Sequence, residues 1–210
     1  MRSLLVIMLS VLPFISLAEE TYPTKKSNRI EWFLSPRLNL NITGNWKSLR
    51  PIDNLEMSYG GGIGAGFRLN LKSDLFIDTD VSICYDNISI SEPNVFSGTL
   101  NANCWTLPIH ISLGYPFKID EEIDILPLAS IGSYYCLSNK IDSYNDSKLA
   151  DLKWNRLNLS WGIGCALGFF SKYEIDIIGY FGLSRLINKN LNPDIYDNKV
   201  RLSFKYFFYM

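Results

Sequence analysis

The sequence predicts an all-β protein, an eight-stranded antiparallel barrel in up-and-down order that crosses a membrane, and three observations predict it. Apolar residues recur at every second position over most of the chain, the connections between these stretches alternate between long and short, and a short apolar leader precedes them all. A spacing of two is that of a strand with one apolar face, because successive side chains point to opposite sides. Of 210 residues, 47% are hydrophobic and 14% aromatic, which excludes a disordered chain. The charges balance at 20 Lys and Arg against 21 Asp and Glu, so no basic surface for nucleic acid is expected.

The leader comes first. Met1-Arg2-Ser3 gives a positive start, Leu4 to Leu17 is apolar apart from a few small residues and Pro13, and Ser16-Leu17-Ala18 has the small-x-small form of a signal-peptidase site. The apolar run is shorter than the ~20 residues a spanning helix needs. Residues 1–18 are therefore expected to be a cleaved signal peptide and residues 19–210 the barrel domain.

Eight segments follow, at about 29–42, 56–71, 74–86, 100–117, 123–138, 153–170, 173–186 and 198–209. The first sets Ile30, Trp32, Leu34, Leu38, Leu40 and Ile42 against Glu31, Ser35, Arg37, Asn39 and Asn41. In the second, Met57, Tyr59, Ile63, Phe67 and Leu69 alternate with Ser58, Gly60, Gly62, Gly64, Gly66 and Arg68. The third opposes Leu75, Ile77, Val81, Ile83 and Tyr85 to Asp78, Asp80 and Ser82, and the fourth opposes Trp105 to Tyr115 at odd positions to Thr106, His110 and Ser112. Only the fifth is ambiguous, since Leu126 and Leu128 interrupt its polar face. The sixth is the cleanest, with Leu157, Leu159, Trp161, Ile163, Cys165, Leu167 and Phe169 against Asn158, Ser160, Gly162, Gly164, Ala166 and Gly168. In the seventh Ile175 and Ile177 oppose Glu174 and Asp176; in the eighth Val200, Leu202, Phe204, Tyr206 and Phe208 oppose Arg201, Ser203 and Lys205.

Long polar connections, about 43–55, 87–99, 139–152 and 187–197, follow the odd segments, and tight turns follow the even ones. That asymmetry is the signature of bacterial outer-membrane barrels, with short turns in the periplasm and long loops outside. A soluble sandwich would also alternate, but it would put its bulky apolar face inward. Here the opposite face is Gly, Ser, Asn and charges, which suits the narrow interior of a closed barrel. Closure leaves no unpaired strand edge in hydrocarbon. Trp32, Tyr59, Trp105, Tyr115, Trp161, Tyr173 and Phe208 lie near strand ends and would form interfacial girdles.

With these segments placed, Gly60 to Phe67, Leu107-Pro108-Ile109, Gly162 to Gly168 and the terminal Tyr206-Phe207-Phe208 resemble the PorT-like outer-membrane β-barrel family. The resemblance implies an eight-stranded barrel in the bacterial outer membrane and carries over no catalytic residue. Some members of that family resemble components of protein secretion.

The inward face is expected to gather Glu31, Arg37, Arg68, Asp78, Asp80, Glu174, Asp176, Arg201 and Lys205 into a salt-bridge network, since charges there must pair or stay wet. The same groups could instead line a narrow ion or solute pore. His110 and Ser112 lie two apart on one strand and share a face, a geometry that lipid A deacylases of the PagL type also use together with a Glu. The departure is that parity turns both residues into the lumen, away from lipid, and no third acid is identifiable. Catalysis is therefore not expected, and a lipid A-modifying hydrolase stands as the lesser alternative. Cys84, Cys104 and Cys136 share inward parity near the outer rim while Cys165 faces lipid. Cys104 with Cys136, or Cys84 with Cys104, could form a disulfide in an oxidising compartment, or the thiols stay free. A single histidine and the absence of C-x-x-C spacing predict no metal, and no cofactor motif is present. The expected function is a structural, binding or assembly role with the lumen plugged by side chains. Outer-membrane lipid is the surrounding partner, and the long loops or periplasmic turns would contact a protein partner.

Overall fold

A computed structural model describes residues 29–44, 56–71, 74–91, 99–143, 154–186 and 195–208. The leader at 1–18 and most of the four long connections lie outside the described residues. The strands are β1 (Arg29–Gly44), β2 (Glu56–Asn70), β3 (Phe76–Ser91), β4 (Thr99–Gly114), β5 (Phe117–Lys118), β6 (Ile123–Ser143), β7 (Leu157–Phe169), β8 (Tyr173–Gly182) and β9 (Tyr196–Phe208). Eight of them are full strands, and β5 is a two-residue ladder inside the β4–β6 turn. The eight full strands pair antiparallel with their neighbours in chain order, β4 with β6 across the short β5, and a β1–β9 ladder closes the sheet on itself. The result is a closed barrel with no free edge.

Parity decides what faces where. On β9, Leu202, Phe204 and Tyr206 are exposed while Arg201, Ser203, Lys205 and Phe207 are buried. The same inversion of the usual soluble rule holds on all eight full strands: the exposed large side chains are Ile, Leu, Val, Met, Phe, Trp and Tyr, and most of the buried set is polar. Such an exterior suits hydrocarbon. Aromatic side chains collect at two levels on the outside. Near the short-turn end Trp32 meets Phe67, and Tyr173 meets Phe204 and Tyr206. Near the other end Tyr85 meets Trp105 and Trp161 stacks on Phe181. Amphipathic rings favour the two interfaces of a bilayer, so these levels bound the spanning belt.

Leu126 and Leu128, ambiguous in the sequence, point inward. They pack with Phe76, Ala166, Ile178 and Tyr180 into an apolar plug inside the barrel near its short-turn end. The ladders also break where the chain cannot donate. Pairing of β3 with β4 skips from Val81–Ile109 to Cys84–Thr106, across Pro108, whose nitrogen carries no hydrogen. Pairing of β1 with β9 skips likewise across Pro36.

Candidate functional site

The chemistry of this chain lies in its lumen, and small residues make the lumen habitable. A side chain at Gly64 would collide with the Arg37 guanidinium, and a Cβ at Gly132 would come within 2.8 Å of His110 Cδ2. Glycine at these positions leaves the space that the two inward cationic or ring groups fill.

Near the short-turn end four charges form a closed neutral ring. Arg68 donates to both oxygens of Asp78, Nε to Oδ1 at 2.7 Å and Nη2 to Oδ2 at 2.8 Å, and Nη2 also donates to Glu174 Oε2 at 2.7 Å. Lys205 Nζ closes the ring, donating to Asp78 Oδ2 at 2.7 Å and Glu174 Oε1 at 2.6 Å. Phe76 and Phe207 cover the Arg68 guanidinium at 3.8 and 4.7 Å from their ring centres. The four residues come from β2, β3, β8 and β9, so the ring spans β1 and cross-links four of the eight full strands.

Above it lies a second layer. Arg37 Nη1 donates to Asp80 Oδ1 at 3.0 Å and to Ser82 Oγ at 2.9 Å, while Nη2 donates to Ser35 Oγ. Arg201 sits between Asp176 Oδ1 at 3.4 Å and Asp80 Oδ2 at 3.7 Å, and Ser203 donates to Asp176 Oδ1 at 2.6 Å. His110 bridges Asp80 Oδ1, 3.2 Å from Nδ1, and the Tyr134 hydroxyl, 3.0 Å from Nε2, with the Tyr180 ring 4.9 Å away. A third layer near the extracellular mouth centres on Lys199, which contacts Asp86 Oδ2 at 3.0 Å and Asp197 Oδ2 at 3.2 Å. Asn39 and Thr106 also donate to Asp86.

Eight of the nine expected luminal charges are thus buried and joined. The exception is Glu31, half-exposed at the rim opposite Arg68 in the β1–β2 register. Asp86, Lys199 and Asp197 belong to the buried set and were not anticipated. Their signal was present: Lys199 continues the parity of Arg201 and Lys205, and Asp86 that of Asp78 and Asp80.

His110 and Ser112 share the inward face, as expected, yet they do not form a base and nucleophile pair. Ser112 Oγ donates to Ser130 Oγ at 2.9 Å, and both nitrogens of His110 are committed to Asp80 and Tyr134. The acid that sequence could not identify is Asp80. The side-chain alcohol that meets the histidine is not Ser112 but the phenol of Tyr134, a poor nucleophile in a packed interior.

All four cysteines are free thiols. Neither pair considered from sequence is directly opposed: Cys84 and Cys136 both face Thr106, from β3 and β6, and Cys104 faces Asp86 and Asn139. On the β6 side the ladder from Gly114–Leu128 to Thr106–Cys136 centres on residue 121, which sets Cys136 against Thr106, and the extra residue at Leu137 then moves the partner of Cys104 from Ser138 to Asn139. Among the described residues no group of three His, Cys, Asp or Glu side chains is arranged to hold a metal.

At the mouth a small cleft is lined by Cys104, Tyr134, Cys136, Trp154, Asn158 and Asp197 among others, and its free volume of ≈ 10 Å³ is about that of one water.

No family model matches the chain, and no curated protein matches it. Among solved structures it is similar to Neisserial surface protein A (NspA), at 11% identity over 84% of this chain and 97% of that one, with a TM-score of 0.52. It is likewise similar to the outer membrane enzyme PagL, at 15% identity over 82% and 98% of the two chains, with a TM-score of 0.51. At such identities the likeness speaks to the fold alone. That fold is the small eight-stranded barrel, and together with the apolar belt it puts this chain in the bacterial outer membrane.

Proposed function

We propose that this barrel is a closed, non-conducting element of the outer membrane that works through structure, binding or assembly at its rims and neither transports nor catalyses. One observation carries the reading: the lumen is filled by interlocked ion pairs over an apolar plug, with Arg68, Asp78, Glu174 and Lys205 each under a tenth exposed. Opening a path would strip partners from buried charges, at about 3–5 kcal/mol for each pair broken. The burial of His110 and Ser112 argues in the same direction against a lipid hydrolase, because a lipid ester has no route to them. Membership of the PorT-like family, with a protein partner at the long connections or periplasmic turns, agrees with the glycine-rich β2 and β7 segments and is part of this proposal.

Planar-bilayer recording of the purified barrel tests it. The expected record is flat, with no unitary steps. Stepwise conductance that Arg201→Ala or Asp80→Ala alters would overturn the closed-lumen reading, and shortened lipid A in the membranes of a producing strain would overturn the non-catalytic one.

A further inference from the structure

The inward cysteines are not equivalent. Cys136 faces Thr106 on β4, and Cys104 precedes Thr106 by two positions, so the two cysteines lie diagonally across the β4–β6 ladder beside the extra residue at Leu137. Both line the cleft at the extracellular mouth. Cys104 is buried, whereas Cys136 is half-exposed. Cys84 is also buried, but its thiol is directed to Ser82 Oγ at 4.0 Å and lies outside the cleft lining.

The cleft itself is not a finished interior. Trp154 Nε1 and Asp197 Oδ1 are buried there without a hydrogen-bond partner among the described residues, and Asp197 is only 7% exposed. Buried polar atoms in this state are met by water, so the thiols lie beside a wet polar niche rather than a dry core.

We propose that Cys104 and Cys136 form an oxidation site at the extracellular mouth, closing to one disulfide that ties β4 to β6 across the bulge. The order of steps follows from exposure. Cys136, as thiolate, attacks one sulfur of an external disulfide R–S–S–R; a Cys136–S–S–R bond forms and the first R–S⁻ leaves and takes up a proton. Cys104 then gives its proton to water and attacks the Cys136 sulfur, which forms the Cys104–Cys136 bond and expels the second R–S⁻. Two thiols are oxidised, one external disulfide is reduced to two thiols, and two electrons and two protons balance. Space outside the cytoplasm supplies such oxidants. A disulfide needs Cβ atoms about 3.5–4.5 Å apart, so closure draws the diagonal pair together, and the bulge at Leu137, where the ladder is already interrupted, is where β6 can yield. The tie would fix the ends of β4 and β6 at the extracellular mouth, and it is independent of whether the lumen conducts.

Thiol counting on the full-length protein tests this. Outer membranes from a producing strain are quenched in acid, denatured, and alkylated with a mass-tagged maleimide before or after reduction. The four cysteines should take two tags before reduction and four after. Cys136→Ser should take three tags before reduction, because it frees Cys104, and Cys84→Ser should take one, because the protected pair survives. A nonreduced digest of the unaltered protein should contain the Cys104 and Cys136 peptides joined, which reads the bond without any variant. Four tags on the unaltered protein after incubating intact membranes with excess oxidised glutathione would overturn the proposal, as would a Cys84→Ser variant that loses the protection.

Discussion

Asp78 is the residue on which most of the luminal order converges, since it accepts from Arg68 twice and from Lys205 once. Asp78→Asn should leave Arg68 with Glu174 alone and Lys205 with only Glu174 and Asp176, at a cost of about 3–5 kcal/mol. The reading is a lower urea midpoint for folding into phospholipid vesicles, and Glu31→Gln at the half-exposed rim should stay within about 0.5 kcal/mol of the original. An unchanged midpoint for Asp78→Asn would mean that the ring is not formed in the membrane. Tyr134→Phe removes only the partner of His110 Nε2 and should cost about 1 kcal/mol. At this scale sequence was a good guide to direction and a poor one to partnership. Parity turned Arg68, Asp78 and Lys205 inward, but their meeting across β1 depends on register and barrel closure, which no single strand encodes. The same limit applied to His110. Its own strand suggested Ser112 two residues on, while the neighbouring strands supplied Asp80 and Tyr134.

Strand identity was legible because a period of two needs only local information, and the eight segments map onto the eight full strands. The departures come from residues that alter the count. Leu137 adds one position to β6 and moves Ser138 and Asn139 out of the expected alternation. Turns were located but not typed. Phe170 and Ser171 both adopt positive φ, 53° and 56°, and Lys172 N donates back to Phe169 O at 3.1 Å, which makes a β-turn with two left-handed central residues, the kind Asn-Gly favours, inside the three-residue connection from Phe169 to Tyr173. Replacing Phe170-Ser171 by Asn-Gly should therefore stabilise the β7–β8 hairpin by about 1 kcal/mol or more, since left-handed conformations cost other residues ~1–3 kcal/mol each. The check is a higher urea midpoint in the same vesicle assay; a lower one would show that the Phe170 ring anchors the turn more than its backbone strains it. On the outer face Leu202 sits midway along β9, paired with Leu38 and Ile177. Leu202→Arg should cost about 2–4 kcal/mol in a bilayer, and a neutral result would move that part of the belt out of the hydrocarbon.

For the whole molecule, the balance of charge is most of what remained to be explained by a near-zero net charge and a mean hydropathy of +0.04. Six buried acids, Asp78, Asp80, Asp86, Glu174, Asp176 and Asp197, face five buried bases, Arg37, Arg68, Lys199, Arg201 and Lys205, inside an apolar exterior. A filled lumen and a wet one make opposite predictions about salt. Charges reached by electrolyte are screened over ~10 Å at about 0.1 M and over ~3 Å at about 1 M, whereas pairs sealed from solvent are screened far less. If the lumen is filled as the ion-pair distances require, the free energy of folding into zwitterionic vesicles should change by less than about 0.5 kcal/mol as salt is raised from about 0.05 to 1 M, and the penalty for Asp78→Asn should be the same at both ends. Zwitterionic lipid keeps surface attraction out of the comparison. A steep loss of stability with salt, or an Asp78→Asn penalty that fades as salt rises, would mean that ions enter between the strands and screen Arg68 and Lys205, and the closed barrel would have to be read as a narrow pore.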